Sequence, residues 1–417
     1  MSNQGNEFTV NPASKSGMFS ALNIRNFRLV FFGQCLSVIG DGAYVTILGW
    51  YAFTLSGASW ASAIVLGTVS ITKLLTMLFG GALADRYDRR RLMILTDVAR
   101  GLALTLLAIA AFQEVTSLAL LVVVAGVVGL LDALFTPSFM GVVPGLVDKS
   151  SLTSANALIG FVRSARGIAG PAIGGALYAG FGPEVVFALD AATFFVAALL
   201  VTAATVKHSE YTKRARKNIF RDIVEGARYV ALTPILALSI PVAAIAMMLS
   251  DAPTQALLPQ LVQEHLVNGV GTLGALETAL GIGMASGAML CAWLHPARYR
   301  AVLTYSAWAA AHLMVALMAM THSVPLAILL FFIKGILTGF GVVLWETLLM
   351  ELIPQDKLSR VFSVDTFGSS GMMPVGFALA GILVSTVPAA QLIFTGQAIA
   401  AALMISLLLV KRIRTVQ

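Results

Sequence analysis

Nine ionisable residues, Asp41, Lys73, Asp132, Arg163, Arg166, Asp251, Glu277, Lys334 and Glu346, stand inside long apolar runs of this 417-residue chain. A charge in hydrocarbon costs about 2.5–3.5 kcal/mol on insertion scales, so each of them must face a partner or a wetted cavity. A carboxylate in such a place can take up and release a proton as its access to water changes, or hold a cationic ligand. Asp41, Glu277 and Glu346 are the candidates for that proton chemistry. Lys73, Asp132, Arg163, Arg166, Asp251 and Lys334 are read as intramembrane charge partners.

Depth along the runs gives the pairings to expect. Asp41 and Lys73 both fall about halfway through their runs and are expected to meet. Arg163 and Arg166 are three residues apart, on one helical face, and a pair between Asp132 and one of them is reasonable. Asp41 and Asp251 occupy similar places in the two halves of the chain. Asp190 is expected near the outer end of its run, and Asp97, Arg100 and Asp365 near run ends, as partners of the basic loop described below. For Asp41 two readings stand: a permanent buried pair, or a carboxylate that titrates as the cavity changes access. Burial penalises its ionised form and a nearby cation favours it.

Other chemistry is missing from the sequence. It has no phosphate-binding Gly-x-x-x-x-Gly-Lys loop, no metal-ligand spacing and no nucleophile–base pair, so no enzyme, cofactor or metal is expected. Gly160, Gly167 and Gly170 lie in an apolar run, not after a strand. Cys35 and Cys291 are read as small apolar fillers. Most of the aromatic residues are read as lipid-facing or packing groups, with Trp50, Phe53, Trp308 and Trp345 as guesses for a cavity lining.

The elements that position these residues follow from composition. At 58% hydrophobic residues and a mean hydropathy of +0.88, the chain is too apolar to cover itself with a water-soluble surface. Apolar runs of about 20 to 28 residues alternate with short polar breaks, and about 20 helical residues cross a bilayer core. We count twelve: 27–55, 61–83, 92–112, 117–140, 152–179, 185–206, 235–258, 270–294, 301–320, 324–349, 361–387 and 389–410. Continuous rather than alternating apolarity favours helices over a barrel. The fold expected is an all-α membrane protein of twelve transmembrane helices in two six-helix halves.

Charge orients the chain. Outside the runs, Lys and Arg fall at the termini and in the even-numbered loops, and the odd-numbered loops have none. The positive-inside rule then places both termini in the cytoplasm of a cell with this protein in its inner (cytoplasmic) membrane. The formal charge of +7 complements an anionic membrane surface and calls for no nucleic acid. The N-terminal run is too long for a cleaved signal peptide.

The expected organisation is a cytoplasmic tail (1–26), a six-helix bundle (27–206), a cytoplasmic linker (207–234), a second bundle (235–410) and a short tail (411–417). In the linker, Phe220, Ile223, Val224 and Ala227 share one helical face and Arg221, Asp222, Glu225 and Arg228 the other, as in a helix lying among headgroups. Sliding the chain by 206 residues matches Leu152 with Leu358, Phe161 with Phe367, Gly170 with Gly376 and Gly175 with Gly381. A parallel repeat of two six-helix halves is one of the known transporter layouts.

The densest charge in the chain, Asp85-Arg86-Tyr87-Asp88-Arg89-Arg90-Arg91, lies between the second and third runs. Gly81-x-Leu83-Ala84-Asp85-Arg86-x-x-Arg89-Arg90 resembles the loop that marks the major facilitator superfamily, with Asp88 where the family has glycine. The resemblance implies a conformational gating role for Gly81, Asp85, Arg86, Arg89 and Arg90. Gly33-Gln34 with Gly40-Asp41, Arg163 and Arg166 before Gly170-Pro171-x-x-Gly174-Gly175, and Arg360-Val-Phe-Ser363 resemble the branch of macrolide-efflux and enterobactin-exporter-like proteins (transmembrane secretion effectors). Gly170, Pro171, Gly174 and Gly175 resemble the helix-packing motif of drug–proton antiporters. Arg166 replaces the glycine expected four residues earlier, and the arginine common in the fourth helix is missing.

What the resemblance implies is a secondary transporter with alternating access, exporting an amphipathic small molecule against protons, its partners being that substrate, protons and the lipid bilayer. It would work as a monomer. Two alternatives are a lipid transporter of the same fold, which Gly40-Asp41-x-Ala43 also resembles, and a non-transporting membrane sensor or scaffold.

Overall fold

The computed structural model describes residues 19–205, 219–266, 269–296 and 298–414, except Asp85 and Arg86, and leaves the side chains of 77–84, 149, 219–223, 356, 359 and 412 undescribed. The long helices are α1 (Arg25–Ser56), α2 (Ser59–Ala84), α3 (Arg89–Phe112), α4 (Leu118–Leu146), α5 (Leu152–Phe181) and α6 (Pro183–Ala203). A linker helix, α7 (Ile219–Leu232), precedes α8 (Pro234–Leu249), α9 (Asp251–His265), α10 (Gly269–Leu294) and α11 (Arg300–Ala319). The chain continues through α12 (Val324–Leu352), α13 (Gln355–Gly371), α14 (Met373–Leu383) and α15 (Ala389–Leu409). No strand occurs among the described residues.

Eleven segments are long and apolar enough to cross a membrane, counting α8–α9 and most of α13–α14 as single crossings. The twelfth crossing is α5. Its 30 residues span about 45 Å, but Arg163, Arg166 and its many small residues keep it out of the strongly apolar set. Both interrupted crossings have a proline just past the break. Pro253 cannot donate to the Leu249 carbonyl, so the helix turns at Ser250. Gly396 of α15 lies directly against that released carbonyl, where any side chain would collide with it. Pro374 follows the break at Met372 in the same way.

Within the N-terminal half, α1 packs on α5 and α6, α3 on α4 and α6, and α2 on α4. In the C-terminal half, α12 packs on α10 and α11, and α15 on α8 and α11. The halves join where α5 meets α10 and where α2 meets α14 and α9. Their close contacts run from mid-helix to the end away from the chain termini: Gly175 on Gly274, Trp50 on Gly269, Gly67 on Phe377, and Ser59 hydrogen-bonded to Gln260.

Candidate functional site

The charges of the N-terminal half converge on Arg100. Its side chain is 2% exposed, and its guanidinium lies 4.2 Å from the Phe194 ring centre and 4.7 Å from that of Phe135. Arg100 Nη2 donates to Asp97 Oδ1 at 2.5 Å, and Nη1 lies 3.6 Å from Asp132 Oδ1 and 4.0 Å from Asp41 Oδ2. Lys73 Nζ completes the group, 2.7 Å from Asp132 Oδ2. The planar guanidinium suits this place: its face stacks on aromatic rings while its edge donates to several carboxylates. Four helices supply the group, which therefore reports how α1, α2, α3 and α4 are rotated against one another.

A cavity of about 110 Å³ opens beside this cluster, in the part of the helices nearer the termini. Asp41, Arg100, Asp132, Arg163 and Arg166 line it together with Gln34, Ser37 and Thr136, and Phe31, Phe135 and Phe139 form its apolar wall. Charge and aromatic surface in one cleft suit a ligand that is partly apolar and partly polar.

Several expected pairings change partners. Lys73 binds Asp132, not Asp41, whose nearest cation is Arg100. Arg166 lines the cavity with Asp132 and is within electrostatic reach of Asp41, but no ion pair joins Arg166 to Asp132. Arg100 and Asp97 form the buried centre of the site, and among the described residues neither pairs with the basic loop. Asp190, in the outer half of α6, is 1% exposed and faces Gly40 and Thr193 inside the bundle. Depth in a run fixes the level of a charge, not the side of the helix on which it meets a partner.

The glycines beside Asp41 serve packing. A side chain on Gly40 would strike the Asp190 carboxylate, and one on Gly42 would come within 2.8 Å of the Arg166 carbonyl and 3.0 Å of Gly170 Cα. Gly170 and Gly174 face Gly42 and Ala43 of α1, and Gly175 faces Gly274 of α10. Backbone therefore meets backbone on both sides of α5, which small residues allow. Gly170→Val is expected to force α1 and α5 apart and lower stability by about 1–3 kcal/mol, read as a fall in thermal unfolding temperature of the purified protein.

The Lys73–Asp132 contact gives a second expected result. Lys73→Met and Asp132→Asn should each reduce stability, while the double variant should lose less than their sum, a coupling of about 0.5–3 kcal/mol. Arg166→Ala with Asp132→Asn should be additive. Coupling in the Arg166 pair with none in the Lys73 pair would contradict the observed geometry.

The C-terminal half holds a second polar group. Lys334 Nζ donates to Asp251 Oδ1 at 3.5 Å, and Asp251 sits in the first turn of α9, where a helix N-terminus favours an acid. Glu277 is within electrostatic reach of Lys334. His312 Nδ1 lies 2.7 Å from Gln397 Oε1, and Gln397 Nε2 donates to the Thr254 hydroxyl at 2.9 Å. Sequence reasoning missed His312 and Gln397. Their signal was the one histidine of the run 301–320 and a glutamine in the middle part of the run 389–410. Glu346 is exposed, and Trp345 Nε1 donates to Asp365 at 3.3 Å. Trp50 packs beside Phe53 and Gly269, and Trp345 against Tyr305 and Trp308, so neither lines the charged cavity.

Of the basic loop, Asp85 and Arg86 lie outside the described residues, and only the backbone of Gly81 is described. Arg89 Nη1 donates to the Gly141 carbonyl at 3.1 Å, and Arg90 donates to the Val201 and Thr202 carbonyls at the end of α6. Asp88 accepts from Arg91 N at 2.8 Å as the cap of α3, which gives its departure from glycine a physical role. No cluster of metal-ligating residues occurs among the described residues.

Comparison with known proteins agrees with this architecture. Residues 16–335 match the family described as transmembrane secretion effectors. The multidrug efflux pump Tap of Mycolicibacterium fortuitum is 25% identical over 85% of this chain and 88% of its own length. The enterobactin exporter EntS of Salmonella typhi is 22% identical over 85% of this chain and 84% of its own. Among solved structures, a POT family transporter in complex with 5-aminolevulinic acid superposes with a TM-score of 0.73 at 12% identity, covering 96% of this chain and 98% of that one. The chain belongs to the transmembrane secretion effector family of major facilitator transporters.

Proposed function

We propose that this multi-pass membrane transporter exports an amphipathic small molecule, such as a drug, siderophore or secondary metabolite, from the cytoplasm in exchange for protons. The observation that carries this reading is the charged and aromatic cavity around Asp41, Arg100, Asp132 and Arg166, placed on the termini side of the contacts that join the two halves. With both termini in the cytoplasm, as the loop charges favour, that cavity is on the side from which an exporter loads. The names of the efflux and exporter relatives support the same direction.

In this reading two six-helix bundles, 27–206 and 235–410, rock about the close α5–α10 and α2–α14 contacts, with 1–26, 207–234 and 411–417 on the cytoplasmic side. Asp41 takes up the proton from outside, and the loop at Gly81, Asp85, Arg86, Arg89 and Arg90 biases the two conformations. Each chain contains a whole cavity and works as a monomer in the lipid bilayer, with no nucleic acid involved. The test uses the purified chain in proteoliposomes with fluorescent amphipathic dyes of positive, negative and zero charge. At least one dye should move against its gradient only when a pH gradient is imposed. Equal dye movement with and without the pH gradient would exclude proton exchange.

A further inference from the structure

The linker helix α7 presents a surface that the transport cycle does not use. Its inner side is fastened to the base of α13 and the end of α12: Gly226 packs on the Arg360 backbone, Glu225 pairs with Arg360 at 2.7 Å, and Tyr229 donates to the Leu352 carbonyl of α12 at 3.2 Å. Its outer side carries Val224, Ala227, Arg228, Ala231 and Leu232, at the i, i+3, i+4, i+7, i+8 spacing of one helical stripe. Val224 is 64% exposed and Leu232 73%. The stripe borders a groove of about 540 Å³ whose far wall is Lys357, held over the Tyr229 ring at 5.1 Å.

The charges of this groove do not cancel. Glu225, its one acid among the described side chains, is committed to Arg360, while Arg228 and Lys357 have no ion-pair partner among the described residues. The groove also has a defined level. It lies where α8 begins at Pro234 and α13 at Gln355, beside the start of two membrane crossings, which is the headgroup level. Two cations over an exposed apolar stripe at that depth match one class of molecule.

We propose that the groove between α7 and α13 binds an anionic phospholipid, its phosphate between Arg228 and Lys357 and an acyl chain along Val224 and Leu232. The lipid would cover the apolar stripe of Val224 and Leu232 that protein leaves open and would steady the linker against α13. The proposal stands apart from the exporter reading, because it concerns neither the cavity nor proton exchange.

The test compares retention of phosphatidylglycerol and phosphatidylcholine by the purified chain in native mass spectrometry. Wild type should retain phosphatidylglycerol preferentially, and Arg228→Gln with Lys357→Gln should reduce that preference about tenfold. Arg25→Gln with Arg28→Gln, at the base of α1, should leave it unchanged. A second measurement needs neither variant pair. Leu232→Cys, in a background of Cys35→Ala and Cys291→Ala, should react with a maleimide more slowly in vesicles with 30% phosphatidylglycerol than in pure phosphatidylcholine vesicles. Unchanged preference in the groove pair, an equal loss in the α1 pair, or maleimide rates indifferent to phosphatidylglycerol would overturn the proposal. So would full displacement of the lipid by millimolar inorganic phosphate, which would mark a free-phosphate site.

Discussion

Arg100→Ala is expected to remove most of the correctly folded protein from the membrane. The variant leaves Asp97, buried at 0% side-chain exposure, without its charged partner, and takes a cation from beside Asp41 and Asp132. Breaking a buried pair by deleting one partner costs about 3–5 kcal/mol. Loss of the guanidinium between Phe135 and Phe194 adds about 2 kcal/mol for a desolvated cation–π contact. Together these approach the whole stability of an ordinary domain. Arg100→Lys should recover only part of the loss, because a lysine ammonium can neither stack flat between two rings nor donate along a planar edge. Arg100→Leu with Asp97→Leu should recover more than Arg100→Ala alone, since it removes both buried charges together. The readout is the yield of monodisperse protein extracted from membranes and its unfolding temperature. A wild-type yield for Arg100→Ala would show that the cluster is not what holds α3 against α1 and α4.

How far this site can be read from sequence depends on what a one-dimensional pattern contains. The crossings are legible because each must satisfy its own backbone within hydrocarbon, so length and apolarity mark them one by one. Ten of the twelve expected runs match uninterrupted helices. The other two contain the breaks at Ser250 and Met372, and Pro253 and Pro374 were visible there as the residues that end a hydrogen-bond ladder. Which residues would be charged inside the membrane was equally plain. Their partners were not, because an ion pair between helices depends on the rotation of both about their axes. That rotation is set by contacts such as Gly42 on Gly170 and Gly40 on Asp190, which act over a few tenths of an ångström.

Arg100 shows the difference. Its place in α3 suggested a partner for the loop nine residues away, yet the helix carries it inward, onto two aromatic rings contributed by α4 and α6. Lys73 shows the converse. Its depth was right, but α2 turns it toward α4, so it meets Asp132 and leaves Asp41 to Arg100. The two aspartates thereby separate in role. Asp132 has two close cations and is the better anchored. Asp41 lines the same cavity but reaches its nearest cation only at 4.0 Å.

That asymmetry is why Asp41→Asn is expected to abolish export driven by a pH gradient while leaving the protein folded. A carboxylate such as Asp132, held at 2.7 Å by Lys73 and at 3.6 Å by Arg100, has little freedom to change its proton occupancy without breaking structure. Asp41 has one long ion pair, with Arg166 further off, so its charge can change with less disturbance to the packing around it. Protonation cancels one negative charge in a confined space that also contains Arg100 and Arg166, and so alters the electrostatic work of closing the cavity over its contents. Asparagine keeps the volume of the side chain and fixes it in the uncharged form, which removes the response to pH but not the cavity. In proteoliposomes, gradient-driven dye movement should fall to the level of vesicles without protein, while dye binding and exchange across a membrane with no gradient persist. Asp132→Asn should behave differently, with reduced stability as its first effect, because it strips Lys73 of its 2.7 Å partner. If Asp41→Asn retains gradient-driven movement with the wild-type pH dependence, Asp41 is not the coupling group. Glu277, partly buried beside Lys334 in the opposite half, is then the next carboxylate to replace.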